Sequence, residues 1–483
     1  MYNSMQKHDS SLARFLTTCA VGLTFLAGAA GAAPTPGPDP IDLSDPRQHH
    51  PSAAAYAFVR QHVPTLTEFR LVKLNTEVIA QRVAEQRPVR LPFAVHGASR
   101  APSLVANAIP LDILLNPQPL VFAGTQGMLI YDLGLPSANG GQRAEQQVEI
   151  VDLPASYGYQ GPILNDVQGR GAYVVRPDMV LGLTFAPNPP LGDSGLSVIE
   201  PLERLLRRNG ATRAEVDLIT RNFNHVVYNS AALQGDIPID IEDSVREHEP
   251  ESAAKASATR ARVNEDISIY MIGDVEYTGS YSSTSAAFDD QTWTLFGVEL
   301  ITQLAEPGPN GNGEFDIDIN VTGQALWVVG GPSSTDPAIL LGESYNQFPW
   351  SIAPVPVNDI GLVHTFTGKN LDGNVIGKAW KIGGFDDACG SAYATDPACK
   401  QSLAQPQFAG TTWLLEVILM AHEIGHNMDG VHGDCDLNYC AGATCGRSVM
   451  CSGLGSDQML FYSELNATAI ADKVAAECSG DPC

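Results

Sequence analysis

Residues 411–428 read "TTWLLEVILMAHEIGHNM", a long apolar run that carries two histidines and a glutamate near its end. The run predicts a buried helix with Thr411 or Thr412 as N-cap. His422 and His426 are four residues apart. On a helix that spacing advances about 6 Å and turns about 400°, so both imidazoles point the same way. Zinc accepts neutral imidazole nitrogens at about 2.0–2.1 Å, so two such rings on one face can share an ion. Glu423 is turned by about 100° from His422 and reaches a water on that ion rather than the ion itself. His432 completes a three-ligand set if the helix stops after His426, and Asp429-Gly430 supplies the stop. Histidines at a surface helix end are the plain alternative, but a third histidine at ligand distance is a much more specific pattern.

The stretch "HEIGHNMDGVH" resembles the H-E-x-x-H-x-x-G-x-x-H signature of the metzincin zinc endopeptidases, and most resembles their adamalysin (reprolysin) branch. "TFTGKNLDGNVIGKAW", followed by Cys389, is similar to that branch's edge strand, and "RSVMCSG" to its Met-turn. The likeness spans about residues 263 to 475. It implies one catalytic Zn2+ held by His422, His426 and His432, with Glu423 as general base. It implies Met450 as an apolar floor under the metal, and Gly377, Lys378 and Ala379 as a strand that pairs with an extended substrate. It also implies an α/β (α+β) metzincin-like catalytic domain with a mixed twisted sheet, a long active-site helix and a C-terminal helical subdomain. Elementary chemistry agrees: zinc polarises a carbonyl, a carboxylate accepts the proton of water, and a peptide backbone can extend an open sheet edge. For Met450, ordinary core filling reads equally well. Asp429 stands where the signature has Gly. The position calls for a left-handed backbone, which Asp tolerates at a cost of about 1 kcal/mol.

Charge divides the chain. Residues 263–483 hold 28 of its 54 acidic side chains and 6 of its 28 basic ones, and the net charge is −26. Two separately built parts are expected, and nucleic acid is excluded as a partner. The start has Lys7 and Arg14, an apolar run and then Ala30-Gly31-Ala32, the pattern of a secretory signal peptide. The run is too short for a membrane anchor. The expectation is a secreted, extracellular monomer without membrane insertion. Of nine cysteines, Cys19 lies in the signal and the other eight fall between Cys389 and Cys483. In an exported chain that even count argues for four disulfides, a cysteine metal site around Cys435 to Cys451 being the competing reading.

Residues 33–240 mix helix and strand signals. "GAYVVRPDMVLGLTFAP" reads as strands, and "LSVIEPLERLLRRNGATRAEVDLITRNFNHVV" as two helices separated by Gly210. The charged, Ala/Ser-rich residues 241–262 read as a linker; Arg260 and Arg262 read as a processing site, and two arginines of a solvated linker read equally well. Beyond it strands and helices interleave. The expected division is a signal peptide over 1–32, a mixed α/β prosegment over 33–240, a linker over 241–262 and the catalytic domain over 263–483, with a retained binding domain over 33–240 as the alternative. The prosegment has no cysteine with which to silence a zinc ion. "ALQGDIPID" places Asp236 after Gly235, similar to the aspartate in astacin prosegments, and a carboxylate is a competent zinc ligand. A Gly-Asp turn is the plain alternative. Asp386, Asp387 and the acidic loops offer oxygen ligands for Ca2+, though no twelve-residue calcium loop is present. His364 reads as a surface residue. The expected activity is zinc-dependent hydrolysis of protein or peptide substrates. A catalytically silent binding or adhesion protein on the same fold is a second class, disfavoured because Glu423 and all three histidines are intact, and a zinc enzyme acting on non-peptide amides is a third, against which the substrate strand argues.

Overall fold

The computed structural model describes residues 52–95, 107–119, 126–136, 144–153, 157–164, 166–185, 196–233, 237–238, 263–303, 315–355, 360–380, 400–408, 410–432, 440–441, 444–445, 448–454 and 462–477. The expected signal peptide and linker, and Asp236, Asp386 and Asp387, lie outside the described residues.

In the N-terminal half, α1 (Ala53–His62), β1 (Phe69–Val72), α2 (Thr76–Ala84), β2 (Val89–Val95), β3 (Asn107–Ile113) and β4 (Asn116–Pro119) come first. β5 (Gln126–Pro136) and β6 (Ala144–Asp152) pair antiparallel. Next follow β7 (Tyr157–Ile163), β8 (Asp166–Arg176), β9 (Met179–Phe185), β10 (Leu196–Pro201), α3 (Leu202–Arg208), α4 (Arg213–Thr220), β11 (His225–Asn229) and β12 (Ile237–Pro238). An antiparallel sheet takes the order β1-β11-β10-β9-β8-β7-β3-β2, with β4 also on β7. The segment expected to be two helices begins instead as a strand. All six residues of β10 are buried, and Pro201 restrains Glu200 from helical backbone, so the first helix starts only at Leu202. Gly210 does mark its end, in a left-handed conformation with φ 80°.

In the C-terminal half, β13 (Val263–Gly273) leads into α5 (Val275–Gly279), α6 (Thr284–Gln303), β14 (Phe315–Val329), α7 (Pro337–Gln347), β15 (Leu362–Phe366), β16 (Gly377–Ala379) and β17 (Gln401–Ala404). α8 (Trp413–Asn427), β18 (Cys440–Ala441), β19 (Thr444–Cys445), β20 (Gly453–Leu454) and α9 (Glu464–Glu477) complete it. The second large sheet runs β16-β17-β15-β13-β14-β5-β6. Its pairs are parallel except β16 on β17 and β5 on β6. In β13, Ile267, Ile269, Tyr270, Met271 and Ile272 are all buried, as expected for a strand covered on both faces.

Two strands of this sheet thus come from the N-terminal half. One apolar core also runs through both halves, joining Phe69, Leu183 and Leu202 to Phe296, Val417 and Ile470. All described residues belong to one compact unit, residues 42–483. α6 lies against α8, where Gly297 admits the Val417 side chain.

Among the described residues no helix is long and apolar enough to cross a membrane. Cys451 is disulfide-bonded, and Cys440 stands opposite Cys445 in the β18–β19 pair. His364, expected at the surface, is fully buried on β15. Its Nδ1 lies 2.8 Å from the Ser402 hydroxyl and its ring stands edge-on to Phe366. Burial pushes its pKa down to about 3, so it is a neutral core residue. Nothing in its immediate sequence marks it as part of a central strand, which is set by pairing with β13 and β17.

Candidate metal centre

α8 begins as expected: the Thr412 side chain accepts from the Leu415 amide. Every one of its residues is buried, since α6, the sheet and the N-terminal half surround it. The helix stops at Asn427, with Met428 as C-cap. The Asp429 amide donates to His426 O at 3.1 Å and the Gly430 amide to Gly425 O at 2.8 Å. This is the Schellman pattern, whose residue after the cap is left-handed. That residue is Asp429, with φ 82°; Gly430 does not adopt positive φ. The reversal returns the chain toward the helix, where Asn466 Oδ1 accepts from the Val431 amide at 2.8 Å and fixes the next turn.

His432 is thereby brought to His422 and His426. The His422 Nε2 is 3.0 Å from the His426 Nε2, and the His432 Nε2 is 3.1 Å from each. His422 Nδ1 donates to Val449 O at 2.9 Å and His426 Nδ1 to Gly430 O at 2.8 Å. With the proton on Nδ1, each neutral ring presents a bare Nε2 lone pair. Two bare lone pairs cannot hydrogen-bond each other, so their approach calls for a cation between them. A tetrahedral ion with bonds of about 2.0–2.1 Å spaces its ligands by about 3.3–3.4 Å, so the three rings fit one after small shifts. Burial pushes His422 far below the usual histidine range, and His426 and His432 beside it add to this, while the Val449 carbonyl opposes it. A neutral ring is the metal-binding form. Among the described residues these three histidines are the group able to hold a metal.

Glu423 is fully buried on the next position of α8. A Cβ added to Gly377 would collide with its carboxylate, so β16 passes directly over it. β16 pairs antiparallel with β17, placing Gly377, Lys378 and Ala379 opposite Ala404, Leu403 and Ser402. It ends the sheet order, and among the described residues no strand covers its outer side. Met450 is fully buried under the helix end: a Cβ on Gly425 would stand 2.6 Å from its Sδ, and one on Gly430 3.1 Å from its Cε. Of the residues expected at the zinc site, Asp236 alone lies outside the described residues.

Several contributors escaped the sequence reading. The Val449 and Gly430 carbonyls set the tautomers of two ligands, and no side-chain pattern announces a carbonyl. Tyr462 donates to Ala421 O at 2.7 Å. At its other end α8 rests on charges from the N-terminal half: the Trp413 amide donates to Glu200 at 3.1 Å, and Glu416 pairs with Arg204 at 3.2 Å and with Arg208. Glu200, Arg204 and Arg208 recur every four residues in an apolar stretch, which was a legible signal of one buried charged face.

None of the curated proteins matches the chain. Among solved structures, metalloproteinase-II from Bacteroides fragilis is similar at 12% identity, with 83% of this chain and 96% of that one covered and a TM-score of 0.40. Residues 341–461 match the family Reprolysin_5, described as metallo-peptidase family M12. That stretch spans β16, α8, the three histidines and Met450, so the part of the chain that bears the site is similar to the metallopeptidases of that family.

Proposed function

We propose that the chain is a secreted zinc-dependent endopeptidase, made as a precursor, that hydrolyses peptide bonds of extracellular proteins. The observation that carries this reading is the convergence of three Nε2 atoms within 3.1 Å of one another, two of them bare of protons. His422, His426 and His432 would hold the zinc. Bound there, zinc supplies Lewis acidity toward a carbonyl oxygen and lowers the pKa of a water to about 7. Glu423 accepts the proton of the attacking water and delivers it to the departing amine. Its buried setting under β16 keeps bulk water from that carboxylate. Gly377, Lys378 and Ala379 offer an edge on which an extended peptide adds as a further strand. Met450 fills the space under the ligands and holds the turn whose Val449 carbonyl orients His422.

In the precursor, Asp236 caps the metal with its carboxylate, and processing falls at Arg260 or Arg262. Supporting this, Ile237 and Pro238 run antiparallel to Leu454 and Gly453, shortly beyond Met450, so the segment that follows Asp236 passes beside the site.

Metal analysis is expected to find one zinc per chain, and a chelator to abolish casein cleavage until zinc is restored. Glu423→Ala should keep the zinc and lose about 10²–10⁴ in rate. Casein cleavage by that variant at the wild-type rate sinks the peptidase mechanism. An Asp236→Ala precursor as latent as wild type sinks the latency assignment alone.

A further inference from the structure

We infer that the N-terminal half, residues 52–238, stays on the C-terminal half as a noncovalent subunit after the chain is cut between residues 239 and 262. Cutting would free the β12 tail but not the body that carries it.

The first ground is the shared sheet. β5 pairs in parallel with β14, with Gly127, Met128, Leu129, Ile130 and Tyr131 opposite Gln324, Ala325, Leu326, Trp327 and Val329. Met128, Ile130, Ala325, Leu326 and Trp327 are fully buried there. Departure of β5 would turn β14 into a long apolar open edge, an arrangement that invites aggregation.

The second ground is the fit of α6 against the N-terminal strands. Phe288 lies against the backbone of Gly127 and Phe296 against that of Gly158, so closely that a Cβ at either glycine would collide with the ring. Arg176 and Arg204 reach over the Trp293 ring of the same helix at 5.8 and 6.0 Å, and Arg176 also pairs with Asp289 at 2.9 Å.

The third ground is a buried ionic cluster built from both halves. Arg204 pairs with Glu200 at 3.0 Å and crosses to Asp290 at 2.6 Å and Glu416 at 3.2 Å. Arg208 crosses to Asp290 at 2.6 Å and to Glu416. Tyr277 and Tyr281 donate to Asp290, and Tyr228 to Glu200. Asn209 binds the Gly410 amide at 2.8 Å and the Thr411 carbonyl at 2.9 Å. The start of α8 therefore rests on groups from the other half. Partners of a buried pair do not part readily, because each leaves an uncompensated charge behind.

Against these, β12 meets β20 through two residue pairs alone, Ile237 with Leu454 and Pro238 with Gly453. A cut just beyond it gives that short ladder a free end. Tail and body thus separate in strength, and an activating cut needs to release only the tail.

The test replaces part of segment 239–262 with the recognition sequence of a site-specific protease that does not otherwise cut the chain. The purified full chain is cut and passed over a sizing column at low micromolar concentration, and amide exchange is followed at residues 324–329. Both fragments are expected to elute together at the volume of the uncut chain. The exchange rates should stay within about threefold of the uncut protein. Separate elution, or exchange about a hundredfold faster in that stretch, overturns the inference. Gly158→Leu, which fills the seat of Phe296, is expected to let the fragments of the cut chain separate. Co-elution of the cut variant would place the holding surface elsewhere and overturn the inference too. If the variant does not fold before cutting, elution and exchange of the cut wild-type chain decide. Neither reading depends on peptidase activity.

Discussion

Glu423 and Gly377 share one space: the carboxylate sits where a side chain on residue 377 would grow. The backbone of edge strand β16 therefore lies directly on side chains of α8, with no side chain of residue 377 between them. The proposed proton carrier and the proposed substrate strand are held at a fixed separation as a result.

Gly377→Ala should displace the Glu423 carboxylate and leave the three histidines alone. Misplacing a reacting group by about 1 Å costs on the order of 100-fold in rate. A fall in kcat of about 10–100-fold is expected, with zinc content unchanged. Steady-state kinetics beside metal analysis checks this. An alanine variant with wild-type kcat would mean that Glu423 has room to spare.

Asp429 ends the helix in the left-handed region, with φ 82°. Asn adopts that region with similar ease, so Asp429→Asn should change stability by well under about 1 kcal/mol. A β-branched side chain is strained there, so Asp429→Val should cost about 1–2 kcal/mol and weaken zinc retention, because His432 depends on the reversal. Chemical denaturation and competition with a chelator measure the two effects. Equal zinc retention in Val and Asn variants would refute the link between this turn and the third ligand.

The contrast between Asp429 and Glu200 shows what could be read from residues alone. A helix spacing of four, a stop and a third histidine are local facts, and the conformation required at Asp429 follows from the resemblance of the stretch to the family signature, which has Gly there, without tertiary knowledge. Interleaved strands and helices likewise pointed to an α/β layer, with β13, β14 and β16 legible as strands and β15 and β17 not. Membership of β5 and β6 in that sheet was not legible, because parallel pairing joins residues about 200 positions apart and leaves no periodic trace. The same holds for Glu200 beneath Trp413. Its spacing to Arg204 and Arg208 hinted at a buried charged face, but nothing local could name Asp290 and Glu416 as the groups that face them. The strand β10 differs from the expected helix for a related reason: "LSVIEP" is too short for its periodicity to separate helix from strand, and its burial, Ser197 and Glu200 included, comes from neighbours distant in sequence.

Met450 touches Gly425 and Gly430, and none of the three ligand rings rests on it for a hydrogen bond. Met450→Leu conserves volume and should cost less than about 1.5 kcal/mol with full zinc stoichiometry. Met450→Ala leaves a cavity under the ligands and should cost about 2–5 kcal/mol. Metal analysis of the Leu variant is decisive: loss of zinc there would make the sulfur more than a packing atom.

The ionic cluster holds three buried carboxylates, Glu200, Asp290 and Glu416, against two guanidinium groups, Arg204 and Arg208. One retained proton makes it neutral. Burial pushes Glu416 up to about 8, against the pull of Arg208 and Arg204, so the proton belongs there. The ordinary glutamate value is 4.5, so the folded state binds this proton more tightly than the unfolded one. The stability it contributes is full below about 4.5 and is lost as pH rises through about 8. Glu416→Gln mimics the protonated form and lacks that dependence. Wild-type stability should therefore fall relative to the Gln variant across this window, by a few kcal/mol at most. Thermal unfolding of both proteins from pH 4.5 to 9 measures it, and a difference that stays constant with pH would remove the proton from Glu416.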